Sequence, residues 1–462
     1  MELGDVVLAV IATDRPACLQ RLLASLQPVA ADPQVHVYVL DNSTLAATDI
    51  ASILARHALN AAGHRVAVQL AVPGQPLHEA RKMLSFAVAD WASRHFDGAV
   101  FWMLDDDLVF ERCTLNGNGL SRQPVAAAHI GACRLLAKLG RMDLLVGGVT
   151  GDAPVRPDAV QASQLGDLAA ALRDLAALDP CARFKHRRPP RRTPDDYYDH
   201  AEGDLSHLEL RYPWLPRPAA EPTTLAQFAL MCAEAIRIPA GGTPFRPLLE
   251  PRDRVIRRAT APARGGNAIF FNRAAMLDHT YPALRVPGGW SRRADMIGTA
   301  LLSRSGYAVY DGGPTLLHDR AGQPHATFDA RSLMPEFVGV LLARVASGKL
   351  SAEQFALELK CYVHERSTRI LGAQCLALAE GRRAVATLRS KNAWWHRDEC
   401  SRECARQLEV VLDKHLTTLA NQHSPGQLEA ELAGDLLDAV LDLARRLGSE
   451  PACGREVACA GG

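Results

Sequence analysis

The sequence has no long apolar run and no excess of either charge sign. Its 462 residues include 52 basic and 51 acidic side chains, which leaves a formal net charge of +1. So balanced a chain lacks the cationic character expected of a protein whose main partner is nucleic acid or an anionic membrane. No stretch reaches the ~18 apolar residues needed to cross a bilayer. We therefore expect no nucleic-acid partner and no transmembrane segment.

The sequence also shows neither the pattern of a secretory signal peptide nor the cysteine spacing of a disulfide framework. The first apolar run, residues 6–12, is short and follows the acidic Glu2 and Asp5, whereas a signal peptide needs a basic start and a longer run. The 11 cysteines are odd in number and scattered, without the spacings of structural zinc sites. This predicts reduced thiols and a cytoplasmic location, and the Ala- and Arg-rich composition is typical of bacterial proteins.

Apolar segments of strand length alternate with helical patterns in the first third of the chain. Continuous apolar runs such as 6–11 are typical of strands buried on both faces of a parallel sheet. Thr13 or Asp14 is the expected cap of the helix that follows. We predict strands at 6–11, 35–40, 66–70, 99–104 and 144–149, and helices at 49–58, 79–93 and 126–139. This alternation predicts right-handed βαβ units and a mostly parallel α/β sheet flanked by helices.

The alternation breaks after the strand at 144–149 and returns at 268–271. The intervening part contains a basic, proline-rich segment at 185–192, and we interpret it as an insertion with a loop and one or two helices. From about residue 330 the apolar pattern is almost entirely helical. We therefore expect an α/β domain at 1–328 with an insertion at about 152–262, a C-terminal all-helical domain at 329–450, and a disordered tail at 451–462.

The most informative motif is Asp105-Asp106-Asp107, which directly follows the strand at 99–104. In an extended segment Asp105 and Asp107 would face one point while Asp106 faces elsewhere. Carboxylates this close repel one another unless a hard divalent cation lies between them. The motif therefore favours an Mg²⁺ or Mn²⁺ site that could bridge a diphosphate leaving group. The alternative is a solvated acidic turn.

The surroundings of this motif resemble the GT-A glycosyltransferases, especially those like family 2. The shared elements are the first strand and helix, Leu40-Asp41-Asn42-Ser43 after the second strand, Glu79-Ala80-Arg81-Lys82 at a helix start, and Met103-Leu104-Asp105-Asp106-Asp107. The resemblance implies a fold that binds a nucleoside-diphosphate sugar. It places Asp41 at the base or ribose, Arg81 near the nucleotide, and the aspartate triplet at the ribose, metal and diphosphate. Lys82 departs from the asparagine that is common in this family.

The resemblance continues near residue 265, where Gly265-Gly266-Asn267 is similar to a strand that lines the acceptor side of these enzymes. We count Asn267 among the nucleotide-sugar-binding residues. Further on, Asp295 matches the second position of an acidic pair that supplies the general base, although Ala294 replaces the first. A helix cap is the alternative role for Asp295. His318 falls where many such enzymes place a histidine that completes the metal shell with Asp105 and Asp107.

These observations predict a metal-dependent glycosyltransferase whose donor is a nucleoside-diphosphate sugar and whose acceptor is undefined. Asp295 as the general base favours an inverting displacement. One alternative is a non-catalytic nucleotide-sugar-binding or assembly module, which the substitution at Ala294 keeps open. A nucleotidyltransferase is less favoured, because the loop after the first strand lacks glycine. The helical domain could bind the acceptor, form a homo-oligomer or dock a protein partner.

Overall fold

The computed structural model describes residues 4–44, 53, 66–70, 74–116, 119–138, 142–154, 158–184, 222–245, 247–250, 255–259, 268–321, 333–420, 425–431 and 435–449. Several predictions fall outside these ranges. They are most of the helix at 49–58, the basic segment at 185–192, Asn267, and the tail at 451–462.

The strands of the described residues form one large sheet and several small ones. They are β1 (Val6–Ala12), β2 (Val35–Asp41), β3 (Val66–Leu70), β4 (Val100–Asp105), β5 (Leu108–Val109), β6 (Glu111–Asn116), β7 (Gly119–Pro124), β8 (Leu144–Val146), β9 (Gly148–Gly151), β10 (Arg257–Arg258), β11 (Ala268–Phe271), β12 (Arg285–Val286), β13 (Gly289–Trp290), β14 (Val309–Asp311) and β15 (Thr315–His318).

The large sheet has the order β10-β14-β8-β11-β4-β1-β2-β3 within the described ranges. β1 pairs in parallel with β2 and β4, and β2 pairs in parallel with β3. β11 runs antiparallel to both of its neighbours, β4 and β8. All seven residues of β1 and all seven of β2 are buried. The predicted mixed, mostly parallel sheet is confirmed.

Helices cover this sheet and continue as a C-terminal helical region, which is also as predicted. The helices of the described residues are α1 (Pro16–Ala24), α2 (Leu77–Ser93), α3 (Ala126–Lys138), α4 (Asp158–Ala176), α5 (Thr224–Ala235), α6 (Arg273–Asp278), α7 (Ala294–Arg304), α8 (Met334–Ala346), α9 (Ala352–Leu388), α10 (Glu399–Ala420), α11 (Pro425–Glu431) and α12 (Asp435–Ser449).

The start of α1 differs from the prediction. Arg15 occupies its N-cap position and makes no capping side-chain hydrogen bond. Thr13 and Asp14 have other partners, since Thr13 bonds to Asp106 and Asp14 accepts hydrogen bonds from Thr44. The predicted cap at Thr13 or Asp14 is therefore wrong, because tertiary partners take both side chains.

The predicted strand at 144–149 is two strands in two sheets. β8 joins the large sheet, whereas β9 pairs in parallel with β15 in a small sheet that also contains β5. Gly151, at the end of β9, has φ +80°, and a Cβ there would lie 2.4 Å from Leu317 Cδ1 and 2.9 Å from the His318 carbonyl oxygen. Glycine therefore permits the close pairing that brings His318 beside β9.

The insertion and the C-terminal helices share one hydrophobic core. Phe228 of α5 stacks on Trp395, which precedes α10, with ring centroids 4.5 Å apart. Both side chains are fully buried in a cluster that also contains residues of α4 and α9. A second cluster joins α7 to α8, α9 and α12. The domain boundary at 328/329 stays a prediction, although the core crosses it.

Among the described helices, none combines the length and apolar character that a bilayer crossing requires.

Candidate active site at the carboxyl edge of the sheet

The ends of three neighbouring strands place the predicted site residues along one edge of the large sheet. In the strand register, Asp41 of β2 aligns with Ala12 of β1, and Ile11 of β1 aligns with Asp105 of β4. Asp41 is buried, and its Oδ1 accepts a hydrogen bond of 3.0 Å from the Ser43 amide. The carboxyl ends of parallel strands are where ligands of open α/β sheets bind. Asp41 and Asp105 therefore lie at the expected edge.

The aspartate triplet bends away from the strand direction after its first member. β4 ends at Asp105, and Asp106 and Asp107 lie in the turn that follows. The extended alternation that we assumed for the triplet is therefore wrong. Asp106 is fully buried and accepts a hydrogen bond of 3.1 Å from the Thr13 amide. Its carboxylate faces the loop after β1, so its predicted contact with the nucleotide sugar stays a prediction.

Arg15, a residue that the sequence reasoning did not select, contacts two of the three carboxylates. One of its terminal nitrogens lies 2.8 Å from Asp107 Oδ2, and the other pairs with Asp106 Oδ1. Arg81 of α2 pairs with the third carboxylate, Asp105, at 3.2 Å. Arg15 could have been selected from the sequence by its position, because it lies in the loop after β1 and β1 ends at the same sheet edge as β4.

Burial and these charges shift the pKa values of the triplet in different directions. Burial raises the pKa of Asp106 to about 7, against the opposing effect of Arg15. Burial also raises the pKa of Asp105, with Arg81 opposing and Asp107 adding to the rise. For Asp107, burial would raise the pKa, but His318 and Arg15 hold it well below its ordinary value. The triplet thus contains one strongly acidic carboxyl beside two that resist ionisation.

His318 faces Asp107, as the predicted metal site requires. Its Nε2 lies 3.5 Å from Asp107 Oδ2, and its Nδ1 lies 2.7 Å from the Asp152 carbonyl oxygen. Because a carbonyl can only accept, Nδ1 carries the hydrogen, and in a neutral imidazole the Nε2 lone pair then faces Asp107. Two electron-rich atoms in this arrangement repel unless a proton or a cation lies between them.

The described residues therefore offer a divalent cation two ligands rather than a complete coordination shell. In the described part of the chain, no group of three or more His, Cys, Asp or Glu side chains could hold a metal ion. Asp107 and His318 are adjacent, whereas Asp105 is turned toward Arg81. Mg²⁺ sites commonly use one or two protein ligands and take the others from substrate phosphates and water. The pair fits a cation that arrives with a diphosphate.

Asp152 holds His318 in place from the insertion side. The Asp152 amide donates to the His318 carbonyl oxygen at 2.9 Å. Its buried carboxylate accepts from Arg237 at 2.6 Å and from the amides of Thr243 at 2.8 Å and Arg320 at 2.9 Å. Burial would raise the pKa of Asp152, but Arg237 and the two amides hold it below its ordinary value. An ionised, fully bonded Asp152 therefore anchors His318.

Asp295 lies close to Arg81 and Asp105 in space, although it is remote in sequence. It is the second residue of α7, whose N-cap position is Arg293, and its side chain is buried. The alternative role of Asp295 as a helix cap is therefore wrong. A cavity between β4 and α7 is lined by Ile11, Arg81, Met103, Leu104, Asp105, Ile269, Tyr281 and Asp295. Asp295 and Asp105 therefore line the same cavity.

Two further residues of this region carried no sequence signal. Tyr281 lines the cavity, and burial raises the pKa of its phenol to about 12. His279 is buried beside Asp295, and burial lowers the pKa of its imidazole to about 4. Both precede α7 in a segment without regular structure, where no periodic pattern marks the inward-facing side. At neutral pH both are uncharged, which leaves Arg81 as the cation of this cavity.

Comparisons with known proteins give only distant likenesses. No protein-family model matches the chain, and no curated protein matches it. A similar solved structure is the mannosyltransferase PcManGT from Pyrobaculum calidifontis in complex with GDP-Man and Mn²⁺, at 13% identity and a TM-score of 0.39, covering 91% of this chain and 88% of that chain.

Two structures of residues 1–349 of S. aureus TarS are also similar. The first has 10% identity, a TM-score of 0.32, and coverage of 89% of this chain and 91% of that chain. The second, in complex with UDP, has 10% identity, a TM-score of 0.29, and coverage of 90% of each chain. TM-scores below 0.5 describe loose superpositions, and none of the site assignments depends on them.

Proposed function

We propose that this protein is a metal-dependent glycosyltransferase that moves a sugar from a nucleoside-diphosphate sugar to an acceptor hydroxyl. The observation that carries the proposal is that Asp105, Arg81 and Asp295 line one small cavity, while Asp107, two residues after Asp105, faces His318. A carboxylate near bound phosphates and a second carboxylate near the acceptor are what a single displacement at the anomeric carbon requires. The resemblance to the GT-A enzymes assigns the same roles to these residues.

In this proposal Asp295 is the general base. It removes the proton of the acceptor hydroxyl, whose oxygen forms a bond to the anomeric carbon as the bond to the diphosphate oxygen breaks. One displacement inverts the configuration of that carbon. Arg81 lies near the nucleotide, and Asp41 binds the base or ribose.

Asp107 and His318 would hold Mn²⁺ or Mg²⁺, with Asp105 as the further ligand predicted by the resemblance. The cation would neutralise the negative charge that develops on the departing diphosphate. The chain's own contribution is to orient these side chains. Asp152 fixes the tautomer of His318, and Arg81 holds Asp105 at the cavity wall.

The donor site is tested by thermal unfolding with nucleoside diphosphates and nucleotide sugars, each with and without Mn²⁺ or Mg²⁺. Selective binding to the folded state at about 100 times Kd contributes about 2.7 kcal/mol, which should raise Tm by a few degrees. The rise should require the metal and one nucleotide base. In Asp107→Asn it should disappear, whereas in Asp311→Asn, an aspartate of β14 far along the sheet order, it should persist. Absence of any rise in folded protein would favour the non-catalytic alternative.

The base assignment is tested by Asp295→Asn. Because the side chain keeps its size and loses its basicity, affinity for the nucleotide that raises Tm should stay within about twofold while turnover falls by a factor on the order of 10² to 10⁴. Turnover is followed as release of nucleoside diphosphate from the corresponding nucleotide sugar. Unchanged turnover would remove Asp295 from the mechanism.

A further inference from the structure

The loop that leads into the Asp295 helix has an unusual backbone at Arg293. Among the described residues, Arg293 is the only non-glycine with positive φ, at 70° with ψ 19°. This left-handed conformation is costly for a side chain that carries a Cβ, and it persists where surrounding contacts impose it. Arg293 lies two residues before Asp295. Its conformation therefore sets the direction in which α7 begins.

The contacts that impose this conformation come from the C-terminal helical region. Arg293 donates to Oε1 of Glu336, the third residue of α8, and both side chains are largely buried. Arg292 donates its amide hydrogen to the Pro335 carbonyl oxygen at 2.8 Å, and its Nε lies 3.7 Å from Glu336 Oε2. The first turn of α8 therefore holds two consecutive residues of the loop through both backbone and side chains.

A glycine in α8 lets the helix approach the loop this closely. A Cβ at Gly339 would lie 2.0 Å from the Arg292 carbonyl oxygen and 2.6 Å from its carbonyl carbon. No side chain fits at such distances without moving the helix or the loop. The same two helices, α7 and α8, also share an apolar cluster. The loop at 292–293 and α8 are therefore joined by close backbone packing as well as by ion pairs.

From this geometry we infer that Glu336 is a positioning residue, which fixes the first turn of α7 and hence Asp295 through Arg293. The inference rests on the proposed function of Asp295 as the general base. It gives the C-terminal helical region a role in the reaction that needs no contact with substrate. A buried ion pair has directional hydrogen bonds, so its loss should release the loop rather than only lower the overall stability.

The experiment compares Glu336→Gln, Arg293→Gly and the double variant with the unaltered chain. Glycine adopts φ 70° without strain, so Arg293→Gly removes the ion pair and the backbone cost together. Glu358→Gln is the matched control, because Glu358 of α9 also pairs with an arginine of α8: its Oε2 lies 3.6 Å from Arg344 Nη1. Amide hydrogen exchange of segment 289–300 is measured with segment 100–110 as the internal reference.

In Glu336→Gln, exchange in 289–300 should accelerate about tenfold or more while the reference segment is unchanged. Release of nucleoside diphosphate from the nucleotide sugar that raises Tm should slow on the order of 10-fold to 100-fold, with KM for that donor nearly unchanged. The control variant should match the unaltered chain in both measurements. In the Arg293→Gly background, replacing Glu336 should have a smaller effect, since its close partner Arg293 is already absent and the longer contact with Arg292 remains.

Equal local exchange in Glu336→Gln and in the unaltered chain would overturn the inference. So would an effect of Glu336→Gln that is undiminished in the Arg293→Gly background, because Glu336 would then act by another route. If Glu336→Gln does not fold, Arg293→Gly alone decides, since unaltered exchange and turnover in that variant would contradict the positioning role. Failure of the proposed function is recognised separately, as unchanged turnover in Asp295→Asn.

Discussion

His279 is a buried imidazole in contact with the helix that carries Asp295. Its Nε2 lies 3.5 Å from Thr299 Oγ1, and its ring packs against Phe271 and Tyr281. A Cβ at Gly298 would lie 2.5 Å from the His279 ring, so the helix and the imidazole are in direct contact at this glycine. A charged ring has no room for solvent here, which is why burial lowers its pKa to about 4.

This depressed pKa predicts a loss of stability at acidic pH. The unfolded chain takes up a proton near pH 6.5, before the folded chain does, so the stabilisation is complete above that pH. This stabilisation is lost as the pH falls from about 6.5 to about 4, and the free energy of unfolding decreases by about 3 kcal/mol over that range. In His279→Gln, urea unfolding over this pH range should show a correspondingly weaker dependence. His95→Gln, which makes the same substitution at a less buried histidine, is the control. An unchanged slope in His279→Gln would refute the prediction.

At the scale of elements, the insertion contributes to the site through Arg237, which lies two residues after the end of α5. Arg237 pairs with Asp152 at 2.6 Å and with Glu234 at 2.6 Å, and it also lies 3.6 Å from Asp319. Asp152 in turn holds His318. A chain of polar contacts therefore connects the insertion to the proposed cation ligand, although the two are far apart in sequence.

Breaking this series of polar contacts should lower the free energy of unfolding. Arg237→Met leaves the buried Asp152 carboxylate without its ion-pair partner, for which a loss of about 3–5 kcal/mol is expected. The control is Arg257→Met, because Arg257 pairs with Asp311 at 3.2 Å on the exposed edge strand β10, where a pair contributes at most about 1 kcal/mol. Urea unfolding measures both losses. Equal losses of unfolding free energy in the two variants would show that the buried Arg237–Asp152 pair stabilises the protein no more than an exposed pair does.

At the scale of the whole molecule, the C-terminal helices complete hydrophobic cores that begin in the first half of the chain. Phe228 and Trp395 are stacked and fully buried, and they come from opposite sides of the predicted domain boundary. Removal of the helices would expose Phe228 and the apolar face of α4 to water. The cost of uncovering several large side chains exceeds the usual stability margin of a folded protein.

We therefore expect a chain that ends at residue 335 not to fold cooperatively. Circular dichroism and thermal unfolding of this truncated chain should show no sharp transition, and added nucleoside diphosphate with Mn²⁺ should not restore one. In the full chain, Phe228→Ala should cost about 3–5 kcal/mol through loss of contacts and the cavity that remains. A cooperative transition of the truncated chain near that of the full chain would show that the first 335 residues fold independently.

Several parts of this architecture could be predicted from the sequence alone. The apolar runs at β1, β2 and β4 determine buried parallel strands, because no polar face is available for solvent. The carboxyl ends of those strands fix where Asp41 and Asp105 lie. The helical pattern beyond residue 330 likewise determined the C-terminal helices. In each case the information is local, since periodicity and strand ends are properties of neighbouring residues.

The tertiary structure alone decided which side chains meet. The pairing of Arg15 with Asp106 and Asp107, the tautomer of His318 set by Asp152, and the hold of Glu336 on Arg293 all join residues distant in the chain. Single charged or polar residues carry no periodic signal, and their partners depend on strand order and on how the helices pack. The sequence by itself therefore determined the framework and one edge of the site, whereas long-range packing determined the electrostatic environment of that edge.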